Sequence, residues 1–352
     1  MGLPEINIEF KGKAVSAIKR SAMGIVALVL KDDTGDFFTK EYKSIEEIES
    51  ADWKAENLDY INKAFLGTPK KVICERQDTT ATDLNAVLKR VGSKKWNYLA
   101  IPEITDTEKE AVATWIKTKR KNDKKTGKVV LPYMESDDEG ILNFTTKDIK
   151  VGEKVYTTAE YCARLAGAAA GLPFTRSLTY FVLDEVDSIT ESDTPNEDID
   201  AGQLILINDG ENIKIARGVN SLVTTTLVKT EDFKKIKVVE VMDMIMDDIR
   251  DTFNKEYVGK VPNTYDNQVL FFTSVNAYLK GLAAEDILDP SYNNFATVNV
   301  EAQRLAWEGI GTNTETWDDL KVKLMSFKSN VFAGGNIKIV DAMEDLDFKI
   351  TI

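Results

Sequence analysis

Histidine is absent from the 352 residues, and this excludes more chemistry than any residue present supplies. Ser-His-Asp and Cys-His catalysis, histidine general bases and nearly every zinc site go with it. Cysteine is scarce: Cys74 and Cys162 are the only two. Cys74 lies in the apolar run Val72-Ile73-Cys74 and Cys162 on a small-residue helix, so both are expected as buried free thiols. Positive charge is in deficit, with 45 lysines and arginines against 58 acids and a net charge of −13. Nucleic acid and anionic membranes are met with positive charge, so neither is expected as a main partner. No apolar run approaches the roughly 20 residues of a membrane span. The first residues lack the charged-then-apolar order of a signal peptide, so the expectation is a soluble protein that stays where it is made.

What is present begins at the two ends. In Leu346-Asp347-Phe348-Lys349-Ile350-Thr351-Ile352 every even residue is apolar and every odd one polar, the period of a strand with one buried face. Ile337-Lys338-Ile339 alternates likewise, and near the start Ile6, Ile8 and Phe10 alternate with Asn7 and Glu9. Two readings fit such termini. Either each pairs inside its own subunit, or each is an arm added to the sheet edge of a neighbouring copy. Burying Leu346, Phe348, Ile350 and Ile352 is worth on the order of 6–12 kcal/mol. The segments Lys11–Arg20 and Asp341–Asp345 read as flexible tethers to those arms.

Between the ends, 43% apolar residues support real cores, and the length predicts two or three domains. Gly24–Leu30 reads as a fully buried strand, and Lys54–Leu66 as a helix closed by Gly67 and Pro69. Val72–Cys74, Thr80–Val91, Tyr98–Ile101, Asp106–Lys121 and Val129–Leu131 alternate strand and helix, which predicts a parallel sheet. A nucleotide site would need glycines after the first of these strands. Glu75-Arg76-Gln77-Asp78-Thr79-Thr80 stands there instead, and no Walker-type loop occurs elsewhere. No cofactor is therefore expected. Thr157–Gly171 is a helix whose Ala/Gly-rich end suits tight packing. Gly202–Ile207 and Ile213–Ala216 form a hairpin around an Asp-Gly turn. Val238–Tyr257 is a long helix with Val241, Ile245, Ile249, Phe253 and Tyr257 on its buried face and Asp243, Asp247, Asp248 and Asp251 outside. Further helices are predicted at Tyr265–Leu282, Val298–Trp307 and Glu315–Leu324.

Two charged runs invite a functional reading. Lys117, Lys119, Arg120, Lys121, Lys124, Lys125 and Lys128 have no interleaved aromatics to stack bases, so a solvated loop or protein-contact surface is expected. Asp184, Glu185, Asp187, Glu191, Asp193, Glu197, Asp198 and Asp200 have no EF-hand spacing, and a solvated loop is expected there too.

Gly202–Leu222, with its Ile207-Asn208-Asp209-Gly210 turn and Ala216-Arg217-Gly218-Val219-Asn220-Ser221 exit, resembles the corresponding stretch of contractile tail sheath proteins. So does the opening Gly2-Leu3-Pro4-Glu5-Ile6-Asn7-Ile8-Glu9-Phe10. Gly335–Leu346 resembles the end of compact sheaths from Gram-positive myophages, defective prophages and R-type bacteriocin particles. The resemblance runs through essentially the whole chain. It implies a structural subunit, not an enzyme, without catalytic, cofactor or metal residues. Such subunits stack as hexameric rings in a helical array around an inner tube and contract to drive that tube through a cell envelope. Their partners would be other copies of the chain, the tube protein, and baseplate and terminator or collar proteins. Assembly would take place in the bacterial host cytoplasm. Carried onto this chain, the resemblance makes Ile6, Ile8 and Phe10 the N-terminal arm and Leu346, Phe348, Ile350 and Ile352 the C-terminal arm. Ile337 and Ile339, within Val331–Val340, become the receiving strand, and Lys321, Lys323 and Lys328 the face toward the tube.

The expected fold is α/β and α+β, a βαβ-type layer plus a C-terminal mixed domain with extended N- and C-terminal β-strand arms. The boundaries expected are 1–20 for the N-terminal arm, 21–68 for the first part of the core and 69–237 for an outer α/β domain. A tube-proximal domain over 238–345 and an arm over 346–352 complete it. The alternatives are an α/β enzyme using Asp184, Glu185 and Asp187 with a metal, or another phage structural oligomer such as a capsid or baseplate component.

Overall fold

A computed structural model describes residues 17–18 and 24–351. Two compact units divide the chain within one helix: Ser21–Ile245 with Asp341–Ile352, and a second centred on Met246–Val340.

The first unit is built on a seven-stranded sheet. In chain order its elements are β1 (Ile25–Lys31), β2 (Thr39–Tyr42), α1 (Ala55–Phe65), β3 (Lys71–Gln77), α2 (Asn85–Gly92), β4 (Tyr98–Ala100), α3 (Asp106–Lys121), β5 (Lys128–Pro132) and β6 (Ile141–Phe144). There follow β7 (Lys147–Val151), β8 (Lys154–Tyr156), α4 (Thr158–Gly171), β9 (Ser188–Thr190), α5 (Pro195–Asp200), β10 (Gln203–Leu204), β11 (Leu206–Asn208) and β12 (Ile213–Ile215). The sheet runs β10-β6-β5-β4-β1-β3-β2 and is parallel except at the β2 edge. β1 is central, with Val26, Leu28 and Leu30 turned toward one core and Ala27 and Val29 toward the other. That two-sided burial is why its sequence is continuously apolar rather than alternating. α1 and α4 cover one face, while α2 and α3 cover the other. Cys74 and Cys162 are both buried and free, and burial pushes both thiols up.

Capping boxes start two helices. The Thr105 hydroxyl accepts from Glu108 N while the Glu108 carboxylate accepts from Thr105 N, and Thr157 and Glu160 repeat the arrangement. The Ala/Gly-rich end of α4 lets it touch the end of α1. A Cβ on Gly167 would stand 2.0 Å from the Ala64 carbonyl oxygen, and one on Gly171 1.6 Å from that of Gly67.

Several expectations shift. The helix expected from Thr80 begins at Asn85, because the Asp78 and Asp83 side chains accept from Thr80 N and Asn85 N and hold the preceding residues in turns. The strand expected over Gly202–Ile207 is divided: Gln203–Leu204 joins the large sheet beside β6, and Leu206–Asn208 pairs with β12. The hairpin loop spans Asp209–Asn212 rather than a two-residue Asp-Gly turn, with the Asp209 carboxylate accepting from Glu211 N and Asn212 N. Since β1, β2 and β3 share one sheet, residue 68 falls within a single unit.

The long helix α6 (Ile236–Glu256) carries the unit boundary. Its acids do not all stay outside, for Asp243, Asp247 and Asp248 are buried. Asp243 receives Arg120 Nη1 and Nη2 at 3.0 and 3.1 Å and Lys128 Nζ at 2.8 Å. Lys128 also pairs with Glu240 at 2.8 Å, and the Tyr98 hydroxyl donates to Glu240 at 2.6 Å. Two cations of the expected solvated basic run are thus paired with α6, Lys128 buried and Arg120 partly buried. The acidic run is likewise not all loop: α5 forms within it, and Glu185 accepts from Arg164 Nε at 2.6 Å and the Tyr161 hydroxyl at 2.7 Å.

The second unit continues with α7 (Tyr265–Ala284), β13 (Phe295–Val298), α8 (Val300–Glu308), α9 (Asp319–Leu324) and β14 (Ala333–Asn336). β13 and β14 make a two-stranded antiparallel sheet with Ala296 opposite Gly335 and Val298 opposite Ala333. Phe253 and Tyr257 of α6 pack on Phe271 of α7 with ring centroids 5.2 and 5.1 Å apart.

Candidate assembly interface

The β14 strand is shorter than the span Val331–Val340, but the bonding continues beyond it on one side. Asn299 N donates to Phe332 O, Lys338 N to the Asn294 side chain, Asp289 N to Lys338 O, and Val340 N to Ile287 O, at 2.8–3.0 Å. The even residues thus turn their backbone groups inward. By the two-residue period of a strand, Ala333, Gly335, Ile337 and Ile339 turn theirs to the other edge. Ile339 forms an isolated bridge with Leu288 in the same run, and Ile337 is 38% exposed. The edge carries little bulk, reading Ala333-Gly334-Gly335-Asn336. At Gly335 a Cβ would lie 2.0 Å from the Phe295 carbonyl oxygen, so only glycine fits.

The C-terminal segment belongs to the first unit, and its start is anchored rather than a free tether. Lys235 Nζ binds Asp341, and Arg217 binds both Glu344 (3.3 Å) and Asp345. The Thr179 hydroxyl donates to Glu344 at 2.7 Å. The Asp341 bond holds the Lys235 ammonium above its ordinary value, and the Asp345 and Glu344 bonds do the same for Arg217. Past this latch no strand is formed over residues 346–351. Leu346, Phe348 and Ile350 are 89, 73 and 72% exposed. An amphipathic stripe thus stands uncovered in a single copy. Ile352 and the N-terminal residues Ile6, Ile8 and Phe10 lie outside the described residues.

Lys321 and Lys323 sit on α9, whose first turn is capped by Asp318 accepting from Lys321 N at 2.7 Å. Val322 is fully buried between them, and Gln303 donates to its carbonyl at 2.6 Å. Lys321 and Lys328 are exposed, each over an aromatic ring, Trp317 at 5.2 Å and Phe327 at 5.3 Å. Asp184, Glu185 and Asp187 do not converge on one centre: Asp184 is exposed, Glu185 is spent on Arg164, and Asp187 accepts from Gly152 N. Among the described residues no group of three or more acids or cysteines is placed to hold a metal ion, and no helix is long and apolar enough to cross a membrane.

The sequence pattern missed Asn276 of α7, which grips the outer side of β13. Its Nδ2 donates to Ala296 O at 3.0 Å and its Oδ1 accepts from Ala296 N at 2.7 Å. A lone helical asparagine carries no local signal of such a role.

Residues 77–221 match the phage tail sheath protein central domain, and residues 228–352 match the phage tail sheath C-terminal domain. The tail sheath protein of Clostridium phage phiCD119 is 38% identical over 361 aligned positions, covering 99% of each chain. A sheath tail protein from Listeria innocua superposes with a TM-score of 0.72 at 15% identity, over 93% of this chain and 94% of that one. The anti-feeding prophage helical sheath in its contracted state gives 0.72 at 13% identity, over 100% and 99%. The mixed α/β fold is therefore shared with sheath proteins, and the chain belongs to the phage tail sheath family, a structural component of a contractile tail.

Proposed function

We propose that copies of this chain polymerise as stacked six-subunit rings around an inner tube, and that contraction of the stack drives the tube through a cell envelope. The links between copies are strands: the tail Leu346–Ile352 and the N-terminal stripe Ile6, Ile8 and Phe10 complete the sheet of a neighbour along the edge bearing Ile337 and Ile339. The observation that carries this reading is the exposed, alternating tail beyond a charge-anchored root. A backbone ladder resists separation while rigid bodies rotate, which is what a contracting lattice requires. Lys321, Lys323 and Lys328 would face the tube protein. Baseplate and terminator proteins would bound the stack, assembled in the host cytoplasm as part of a phage tail or an R-type bacteriocin particle.

Deletion of 346–352 tests the reading: the protein should stay folded yet form no striated tubes by negative-stain microscopy. Tubes of normal length from that deletion would defeat it. For the tube face, Lys321→Glu with Lys323→Glu should reduce sheath decoration of tubes, and unchanged decoration would remove those residues from the contact.

A further inference from the structure

We infer that the first unit carries a binding site for a neutral saccharide, in the crevice beyond the carboxyl ends of β5, β6 and β10. The site is independent of the contacts between copies proposed above. The crevice has a volume of about 590 Å³, within the roughly 300–1,000 Å³ of small-molecule sites, and open parallel sheets bind ligands at this end of their strands. Its floor follows from strand register. Leu131 of β5 stands opposite Asn143 of β6, and Asn143 opposite Gln203 of β10. By the two-residue period, Tyr133 and Thr145 share the face of Leu131 and Asn143. Along β6 that face changes from Ile141, in the apolar core under α3, to Asn143 and Thr145. Asn143 lines the crevice and is 1% exposed. Its Oδ1 accepts from Met134 N at 2.6 Å, while its Nδ2 meets no acceptor among the described residues. A buried amide donor left unpaired is a cost that an occupant removes. Beside it Tyr133 has a φ of +47°, in the left-handed region that bulky residues rarely adopt. Its hydroxyl shares a 2.7 Å hydrogen bond with Thr158 Oγ1, which fixes a ring that is still 41% exposed.

Charge selects the class of ligand. The floor itself is uncharged: Asn143, Thr145, Gln203 and the Tyr133 ring. The Gln203 amide and the Thr145 hydroxyl are half-buried and, among the described residues, make no side-chain hydrogen bond. Around them stand Glu110, Glu135, Glu191 and Asp198, with only Lys109 and Lys147 in opposition, and Lys109 is held by Asp106 at 2.8 Å. Four carboxylates against two ammoniums repel a phosphate or a carboxylate. A cation, in turn, would meet the bare Nδ2 donor. A peptide strand is disfavoured as well, because the polar row lies on a sheet face, where no backbone ladder can be extended. The chemistry left is an uncharged ligand with acceptors for Asn143 and donors for the surrounding carboxylates. A saccharide hydroxyl is both, and the C–H face of a sugar ring suits the apolar surface of Tyr133. Lys147, exposed, holds its Nζ 5.8 Å from that ring centroid and is the side chain a bound sugar would displace.

The test uses the unpolymerised full chain with maltose, cellobiose and N,N′-diacetylchitobiose as probes, read by saturation-transfer NMR and titration calorimetry. At least one should bind with a Kd on the order of 1 mM or tighter, while inorganic phosphate and free lysine should not. Asn143→Asp keeps an acceptor for Met134 N but removes the Nδ2 donor, and should weaken that sugar about tenfold. Tyr133→Ala, at a partly exposed position, should weaken it as well, and it decides the matter if Asn143→Asp does not fold by circular dichroism. A crystal soaked with the bound sugar should place one of its oxygens on Asn143 Nδ2. Failure of all three sugars to bind at ~20 mM would overturn the site, as would phosphate binding more tightly than any of them. Unchanged affinity in Tyr133→Ala, or an ordered water alone on Asn143 Nδ2 in the soaked crystal, would overturn it too.

Discussion

Replacing Asp243 by leucine should be among the most damaging single changes in the first unit, although the residue belongs to none of the proposed contacts between copies. Its carboxylate accepts three bonds of 2.8–3.1 Å from Arg120 and Lys128, and Lys128 is 1% exposed. Burial pushes the Lys128 ammonium down, but the Asp243 and Glu240 charges outweigh that and leave it above the ordinary lysine value. The cation is therefore present and needs its partners. With Asp243 gone, Lys128 keeps Glu240, and Arg120 keeps the carbonyls of Thr126 and Gly127 as hydrogen-bond acceptors but loses its carboxylate bonds. Stranding one partner of a buried ion pair costs about 3–5 kcal/mol. With a denaturant slope of ~3 kcal/mol/M, that lowers the urea midpoint by ~1–1.7 M. The assay is urea unfolding of the unpolymerised full chain, with amide exchange in β5 and α6 to localise the transition. Adding Lys128→Met to Asp243→Leu should cost less than the sum of the two single changes, because both break the same Asp243–Lys128 pair. A loss under ~1 kcal/mol for Asp243→Leu, or strict additivity, would refute the reasoning.

Gly167→Ala, whose Cβ would lie 2.0 Å from the Ala64 carbonyl, should force α1 and α4 apart and cost ~1–3 kcal/mol by the same denaturation assay; a neutral result would deny the close approach. Acid should weaken the first unit through Glu185. Burial pushes this carboxyl up, but the bond and charge of Arg164 with the Tyr161 bond outweigh it and leave it below its ordinary value. A carboxyl lowered in the folded state contributes stability above its unfolded pKa, about 4.3, and loses it as pH falls through the folded value. Glu185→Gln should flatten the pH dependence of the urea midpoint below about pH 4.3, and an unchanged slope would assign the acid loss elsewhere. Arg217→Ala with Lys235→Ala should release the tail root, seen as faster amide exchange over 341–345, an effect that high salt should mimic in the parent; unchanged protection would deny the latch.

Much of the first unit was legible because its signals are local. The continuous apolar run of β1 announces a strand buried on both faces, and the Thr105–Glu108 and Thr157–Glu160 boxes announce helix starts within one turn. The buried acids of α6 were not legible. Asp243 looks like any surface aspartate on a helix until Arg120 and Lys128, 123 and 115 residues earlier, are brought beneath it. The same holds for the tail root: Asp341 to Asp345 reads as a polar tether, and only the fold sets Lys235 and Arg217 against it. Glu185 changes from loop acid to ion-pair partner for the same reason. At the candidate interface, alternation identified the tail, whereas the grip on β13 depends on Asn276 meeting Ala296 from 20 residues away.

The most direct measurement is a cryo-electron microscopy reconstruction of the assembled protein at a resolution that traces side chains. The account requires continuous density for residues 346–352 of one copy beside Ile337 and Ile339 of another. Density that returns each tail to its own subunit, leaving the β14 edge bare between copies, would contradict it.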